Sequence, residues 1–460
     1  MAWMPELGTG NGPRYLAIAD ALAADIGAGR LGPGQRLPPQ RVLAQRLGVD
    51  LTTVTRAFNE ARRRGLVEGT AGRGTFVRPF QVPDRQPGTV LSAIDLSMNA
   101  PPQPLEARLA ERVHQAVQAV LEAPDGLVRL QYQDSAGAAL DRAAGAQWLG
   151  QRLGPVPPDR VVVAGGAQGA LFAIIAALTR PGDVLCAPSL TYPGLRAIAG
   201  QQGLRLLAIP SDRDGLDPDS FEEACRRDAP RVLYCIPTLD NPTATTMPSA
   251  RREAIVATAR RHGVAIVEDD PYGALPADAP PPLAVLAPEL VWHVASLSKC
   301  ATPGLRVAYV VAPDLARTML LAGTVRATSL MASPLMAAVA SRWVLDGTLD
   351  AITAAIRREN EARQGIARTV LAGADFEAHP QGHHLWLRLP EHWPRAEFVA
   401  HARRSGLSIV ASDAFAVSGS PPEAVRVSLG IASDRDVLRR VLELLAAILV
   451  GRPAAASMIV

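Results

Sequence analysis

Lysine is almost absent from this chain. Of its 47 basic residues, a single one, Lys299, is lysine and the others are arginine. Arginine serves wherever a permanent positive charge is needed, because a guanidinium stays protonated in proteins whereas an ammonium can lose its proton. Codon bias explains the missing lysines, but it does not explain why one remains in Ser296-Leu297-Ser298-Lys299. A deprotonatable amine is the nucleophile that forms Schiff bases with carbonyl compounds.

Other scarcities narrow the class of protein. The four cysteines show no CxxC pair and no metal-ligand spacing, so we expect them to be reduced and mostly buried, in a cytoplasmic protein. No third ligand accompanies His383 and His384, so we interpret these as structural and predict no metal site. No uncharged apolar run is long enough to span a membrane, and no secretory signal pattern is present.

Positive charge is concentrated near the amino terminus. Residues 1–80 contain eleven Arg and six acidic residues, although the net charge of the whole chain is only +3. A basic segment joined to a mildly acidic remainder is typical of a polyanion-binding module fused to another domain. Pro79, Pro83 and Pro87 indicate a linker. We therefore predict a first domain at 1–78, a linker at 79–93 and a large domain at 94–460.

The first domain has the pattern of a winged helix-turn-helix. Apolar residues at helical spacing, a Pro38-Pro39 helix start and a turn at Gly48 predict three helices followed by a hairpin. We place these elements at 17–26, 40–47, 52–64 and 66–77.

This segment resembles the GntR-type winged helix over nearly all of residues 13–78. The resemblance is carried by Pro33–Pro38, Leu47–Val49, Arg64–Leu66 and Gly72–Val77. It implies binding to a double-stranded DNA operator. The expected DNA contacts lie near the starts of the second and third helices and in the wing: Arg41, Thr52, Thr53, Arg56, Arg73 and Gly74. Asp50-Leu51 stand where the family usually has Ser-Arg, so one expected DNA-contacting Arg is missing.

From Ile94 to about Val450, strand-like apolar runs alternate with helical segments, which predicts an α/β fold with a mostly parallel sheet. Polar residues of interest follow the strands, and ligands bind at the carboxyl ends of strands in such sheets. Gly165-Gly166 lead from a strand into a helix whose first N–H groups can bind a phosphate. Asp269 ends a strand, where it is either an ordinary acidic strand cap or a partner for a protonated ring nitrogen. Arg426 lies in an apolar strand and needs an anion.

Together these residues resemble the fold-type-I pyridoxal-phosphate family, in its aminotransferase class I/II branch, over about 95–450. The resemblance implies a mostly parallel central sheet, a smaller C-terminal α+β subdomain and pyridoxal 5′-phosphate held by Lys299 as an internal aldimine. Asp269 would pair with the pyridinium nitrogen, and Arg426 and Asn99 would contact a substrate or effector. The other implied cofactor contacts are Asn241 and Tyr272 at the ring oxygen, Tyr192 on the ring face, Ala167, Gln168, Ser296, Ser298 and Arg306 at the phosphate, and Tyr132 at a neighbouring subunit's phosphate.

The combination of the two domains resembles the MocR subfamily of bacterial transcription regulators. It implies a homodimer, head-to-tail, in which the large domain binds pyridoxal phosphate and often an amino compound as effector. Ala244 replaces the Gly of the family's Asn-Pro-Thr-Gly motif, and Ala167 stands where many members have Ser. The alternative is a working pyridoxal-phosphate-dependent aminotransferase that carries a GntR-type domain, because no recognised cofactor-contacting residue is plainly destroyed.

Overall fold

The chain divides into two compact units, residues 1–90 and residues 91–460. A computed structural model describes residues 3–5, 13–27, 30–32, 34–63, 66–70, 74–77 and 94–451. The predicted linker at 79–93 and the wing residue Arg73 lie outside the described residues. Among the described helices, none combines the length and the apolar character that crossing a bilayer requires.

The amino-terminal unit is a winged helix-turn-helix, as the sequence predicts. Its elements are α1 (Arg14–Gly27), α2 (Gln40–Leu47), α3 (Leu51–Arg63), β1 (Val67–Thr70) and β2 (Gly74–Val77). Gly48 ends α2 with φ 62°, a left-handed conformation that glycine adopts at little cost. Strands β1 and β2 pair antiparallel, with Val67 opposite Val77. Ile18, Val54 and Phe58 are among the apolar side chains that form the core of this unit.

The large unit alternates strands and helices. Its strands are β3 (Ile94–Asp95), β4 (Val161–Ala164), β5 (Val184–Pro188), β6 (Arg205–Ile209), β7 (Ser211–Asp212), β8 (Gly215–Leu216), β9 (Val232–Cys235), β10 (Ala265–Asp269), β11 (Val291–Ser296), β12 (Ala308–Val311), β13 (Phe376–Ala378), β14 (His384–Arg388), β15 (Leu407–Ser408), β16 (Val410–Ala411) and β17 (Ala424–Ser428). Its α-helices are α4 (Leu109–Glu122), α5 (Ala139–Leu153), α6 (Ala167–Leu178), α7 (Pro193–Gln201), α8 (Pro218–Asp228), α9 (Ser249–His262), α10 (Leu283–Leu286), α11 (Leu315–Ser329), α12 (Pro334–Leu345), α13 (Thr348–Val370), α14 (Arg395–Arg404) and α15 (Arg435–Val450).

The central sheet has seven strands in the order β4-β12-β11-β10-β9-β5-β6. Strand β12 runs antiparallel to both of its neighbours, and the other paired strands are parallel. The mostly parallel α/β sheet predicted from the sequence is therefore confirmed. Strands β4, β5 and β9 are buried along their whole length, because helices cover both faces of such a sheet. This double burial accounts for their continuous apolar runs.

A smaller subdomain follows the central sheet, again as predicted. It contains a four-stranded antiparallel sheet in the order β13-β14-β17-β16. Helix α13 connects the core around the central sheet with the core of the smaller subdomain. Ile352 and Ile356 pack in the core of the central sheet, and Ala367 packs in the core of the subdomain. Strand β3 pairs in parallel with β15, so the start of the large unit belongs to the smaller subdomain. This pairing places Ser97 and Asn99 where they can reach the main sheet.

Candidate functional site

Lys299 follows the carboxyl end of β11, a buried strand inside the central sheet. Its Nζ donates a hydrogen bond to the backbone oxygen of Asn99. Burial and, to a smaller extent, the positive charge of Arg426 lower the pKa of Lys299 to about 8, although the negative charge of Asp269 opposes the shift. A larger fraction of this amine is therefore neutral near pH 7 than for an exposed lysine, and the neutral form is the nucleophile.

Asp269 ends β10, the strand next to β11. The hydroxyl of Tyr234 donates to its Oδ2 over 2.8 Å, whereas its buried Oδ1 has no hydrogen-bond partner among the described residues. Burial raises the pKa of Asp269 to about 7. An unpaired carboxylate oxygen costs free energy unless a donor reaches it, and a protonated ring nitrogen is such a donor.

A glycine turn and an arginine form an anion cradle where β4 and β11 end. Register across β12 brings Ala164 and Ser296 to the same edge of the sheet, since both pair with Ala308. Gly166 has φ 92°, and a Cβ there would lie 2.6 Å from Nη2 of Arg306. This arginine donates to the backbone oxygen of Gly165 over 3.3 Å. Glycine is thus needed for the close approach of a guanidinium to this turn.

Helix α6 begins immediately after this turn, at Ala167 and Gln168, and the first backbone N–H groups of a helix have no intrahelical partner. The Oγ of Ser296 donates to Oγ of Ser298 over 2.8 Å. The predicted phosphate-binding residues therefore lie together, and they provide hydroxyls, backbone donors and one guanidinium. This donor set fits a phosphate group.

Arg426 lies on β17 and connects the smaller subdomain to the main sheet. Its Nη1 donates to Oδ1 of Asn241 over 2.7 Å, and its Nη2 donates to the backbone oxygen of Ser97. The guanidinium carbon is 5.0 Å from the centroid of the Phe415 ring, a cation–π contact. Its buried Nε has no hydrogen-bond partner in the described part of the chain. The arrangement leaves a donor for an anionic ligand group.

Asn99 joins the predicted ring-oxygen contact Tyr272 to a histidine that the sequence did not single out for the site. Its Nδ2 donates to the Tyr272 hydroxyl over 2.8 Å and to Nδ1 of His384 over 3.0 Å. Nε2 of His384 in turn lies 3.1 Å from the backbone oxygen of Asp240. Burial lowers the pKa of His384 to about 3, so this ring is neutral, with its proton on Nε2.

The sequence thus missed two residues that contact the predicted site. Tyr234 is an apolar-strand tyrosine without a motif of its own, and only the strand order places it beside Asp269. From the sequence we interpret His384 only as a structural residue, and in the structure it is the first residue of β14. No group of His, Cys, Asp and Glu side chains within the described residues is arranged to hold a metal ion. The thiol of Cys300, the residue after Lys299, is buried, and burial raises its pKa to about 12. This thiol is therefore protonated rather than a nucleophilic thiolate near pH 7.

Two tyrosines differ in position. Half-buried Tyr192 precedes α7 and lies beside Gln168, since a Cβ at Gly194 would meet both side chains. Tyr132 is 82% exposed, and no hydrogen bond or ring contact joins it to the other site residues in the described structure. None of the described contacts therefore brings Tyr132 to the site of its own chain.

The predicted DNA contacts that fall in the described residues lie at or near the surface of the amino-terminal unit. Arg41 on α2 and Thr52 and Arg56 in the first two turns of α3 are exposed, whereas Thr53 is half-buried. Gly74 begins β2 with φ 113°, and a Cβ there would approach the Arg36 guanidinium at 3.0 Å. The amino-terminal end of α3 is therefore accessible to solvent.

These features define a class of protein, in which a winged helix-turn-helix is fused to a domain with the fold of fold-type-I aminotransferases. The family "Aminotransferase class I and II" matches residues 92–445, and "Bacterial regulatory proteins, gntR family" matches residues 14–77. The chain belongs to the aminotransferase class I and II family. Its amino-terminal GntR-type domain and its full-length similarity to an HTH-type transcriptional regulator agree with the MocR subfamily of GntR-type regulators.

A relative that matches nearly the full chain is a transcriptional regulator, whereas two that match part of it are aminotransferases. An uncharacterized HTH-type transcriptional regulator of Bacillus subtilis, YdeF, is 31% identical over 438 residues, which are 93% of each chain. A 2-aminoadipate transaminase of Thermus thermophilus is 35% identical over 193 residues, 41% of this chain and 47% of that protein. The crystal structure of LysN, an α-aminoadipate aminotransferase of the same species complexed with N-(5′-phosphopyridoxyl)-L-leucine, has a TM-score of 0.71 at 26% identity and covers 78% of this chain and 92% of its own.

Proposed function

We propose that this protein is a pyridoxal-phosphate-dependent transcription regulator, in which occupancy of the Lys299 site changes the affinity of the amino-terminal unit for an operator. The observation that carries the proposal is the grouping of an amine of lowered pKa, a carboxylate with an unpaired oxygen and an anion cradle, in a chain with a DNA-reading helix. The full-length match to a transcriptional regulator supports the same reading.

The residues present fit the cofactor. The unpaired Oδ1 of Asp269 suits the ring nitrogen, the Gly166–Arg306 cradle suits the phosphate, and Lys299 supplies the amine. When bound, pyridoxal phosphate supplies an electrophilic aldehyde, which condenses with amines. It also supplies a ring that withdraws electrons. Tyr192 would cover the ring, and Asn241 and Tyr272 would contact its oxygen.

Arg426 would bind the carboxylate, or another anionic group, of an incoming amino compound. In the described structure its guanidinium is held by Asn241 and the backbone of Ser97, so a ligand anion would compete with the segment that contains Asn99. A ligand alters DNA affinity only if it favours one conformation over another. Movement of this segment away from Arg426 and Lys299 would provide such a second conformation. We further propose a head-to-tail homodimer, with the exposed Tyr132 reaching the partner's site.

The test combines absorbance with DNA binding. Purified protein mixed with pyridoxal phosphate should develop the visible absorbance of a lysine-bound cofactor. The loaded protein should also select a defined sequence from a random duplex library, with an affinity that falls steeply as salt rises. A protein without the absorbance, or one whose DNA binding is absent or insensitive to salt, would refute the proposal.

A second candidate function is aminotransferase turnover. Two observations favour it: Asn241, Asp269 and Lys299 are all retained and placed around one site, and a transaminase is 35% identical over part of the chain. Loss of the visible band within seconds after addition of a common amino acid, with release of the corresponding keto acid, would favour turnover over sensing.

A further inference from the structure

The large unit contains a cavity that is separate from the lysine site. Its volume is about 840 Å³, within the ~300–1,000 Å³ of ordinary ligand pockets, and neither Lys299, Asp269 nor Arg426 lines it. Successive residues at a strand end point to opposite faces, and this alternation separates the two sites. Asp269 faces Tyr234, whereas Asp270 faces this second cavity.

The polar end of the cavity is formed by a loose ion pair. Oδ2 of Asp270 lies 3.4 Å from Nε of Arg152 and 3.9 Å from Nε2 of His293. The Asp270 side chain is only 2% exposed, yet its Oδ1 has no hydrogen-bond partner among the described residues, and the same holds for Nε and Nη2 of Arg152. Buried polar atoms of this kind normally have partners, so their convergence on one cavity indicates a bound group.

The shape of this end depends on glycine. A Cβ at Gly273 would lie 2.0 Å from Oδ2 of Asp270, so any side chain at that position would collide with the carboxylate. Glycine therefore leaves the room that the Asp270 carboxylate occupies at this end of the cavity. The walls beyond it are apolar and include Trp148, Leu149 and Val285.

The charges around the cavity are balanced. Arg152 faces Asp270, Arg357 and Asp350 add one charge of each sign to the lining, and His293 lies 2.9 Å from Glu268. An anionic ligand would be drawn to Arg152 but repelled by Asp270, and a cationic ligand would meet the opposite conflict. A neutral group that offers an acceptor and a donor side by side satisfies both.

We propose that this cavity is a second small-molecule site, for a compound with an uncharged carboxamide-like head on an aromatic or aliphatic body. The carbonyl oxygen accepts from Arg152, the amide N–H donates to Oδ1 of Asp270, and the body packs against Trp148 and Leu149. The site does not use pyridoxal phosphate, so it stands or falls independently of the proposed function.

The test is calorimetric titration of the full-length protein with indole-3-acetamide, in the presence and absence of pyridoxal phosphate. We expect saturable binding of one equivalent per chain under both conditions, and weaker binding of indole-3-acetate, which has the same body and a negative head. Arg152→Gln should weaken the amide by about tenfold, because it removes a charged donor. Ala354→Trp, which fills the cavity from α13, should abolish binding.

The matched control is Arg226→Gln, which removes an exposed arginine of α8 outside the cavity and should leave binding unchanged. Thermal unfolding of each variant checks that the variant is folded. If Ala354→Trp does not fold, the binding affinity of Arg152→Gln alone tests the proposal. Absence of amide binding to the parent protein, unchanged binding in Arg152→Gln, or tighter binding of the carboxylate would overturn the proposal.

Discussion

The lysine site and the DNA-reading helix differ in how much their residues depend on one another. Around Lys299 the side chains are largely buried, and neighbouring residues hold Asp269 and Arg426 in place. At the start of α3, Thr52 and Arg56 are exposed to solvent. On the proposed function, folding prearranges the groups of the first site, whereas the start of α3 would gain its contacts only when DNA is bound. Single substitutions should have large effects in the first region and small effects in the second.

The largest expected effect is that of Lys299→Ala. Because the chain has no other lysine, the variant should lose all attachment of pyridoxal phosphate to a lysine. Mass spectrometry after borohydride reduction should find one phosphopyridoxyl group on the parent peptide containing Lys299 and none on any peptide of the variant. Arg226→Gln is the control variant and should carry the phosphopyridoxyl group as the parent protein does. A modified peptide in the variant would show that the cofactor is bound elsewhere.

Removal of the phosphate anchor should have the next largest effect. Arg306→Gln should raise the dissociation constant of pyridoxal phosphate by about tenfold to a hundredfold, because it removes one charged donor from the cradle. Equilibrium absorbance titration measures this change. The exposed Arg317→Gln is the matched control, with no expected effect. Equal affinities for the two variants would place the phosphate away from the Gly166 turn.

The pH dependence of cofactor attachment should reveal the buried lysine. Raising the pH deprotonates the amine, so the attachment rate should increase about tenfold per pH unit and level off above about pH 8, rather than near the ~10.4 of an exposed lysine. Stopped-flow absorbance provides the rates. Arg426→Leu removes a positive charge that lowers this pKa, so its plateau should begin at higher pH. A parent rate still rising beyond pH 9 would contradict the assignment.

The smallest expected effect is that of Arg56→Ala on DNA. One exposed cation contributes about one phosphate or base contact, so affinity for the selected duplex should fall several-fold and the salt slope should decrease by at most about one unit. Fluorescence anisotropy at several salt concentrations measures both quantities. Arg226→Ala, on the large unit, controls for loss of charge. If the two variants bind DNA equally well, Arg56 is not part of the interface.

The features predicted correctly from the sequence are those encoded by patterns within short segments of the chain. Strand runs such as that before Asp269, and the glycine turn before α6, show both the fold and the order of the site residues. Contacts between distant segments left no such signal. Tyr234 reaches Asp269 only because β9 and β10 are neighbours, and His384 reaches Asn99 across 285 positions of sequence. The second cavity was equally invisible, since Arg152 and Asp270 meet only in the folded chain.

The most direct test of the central claim is the response of DNA affinity to the cofactor. Anisotropy of the selected duplex should be measured for the parent protein and for Lys299→Ala, with and without pyridoxal phosphate and then with a panel of amino compounds. We expect the parent's dissociation constant to change by about fivefold or more while that of Lys299→Ala stays constant. Identical behaviour of the two proteins would contradict it.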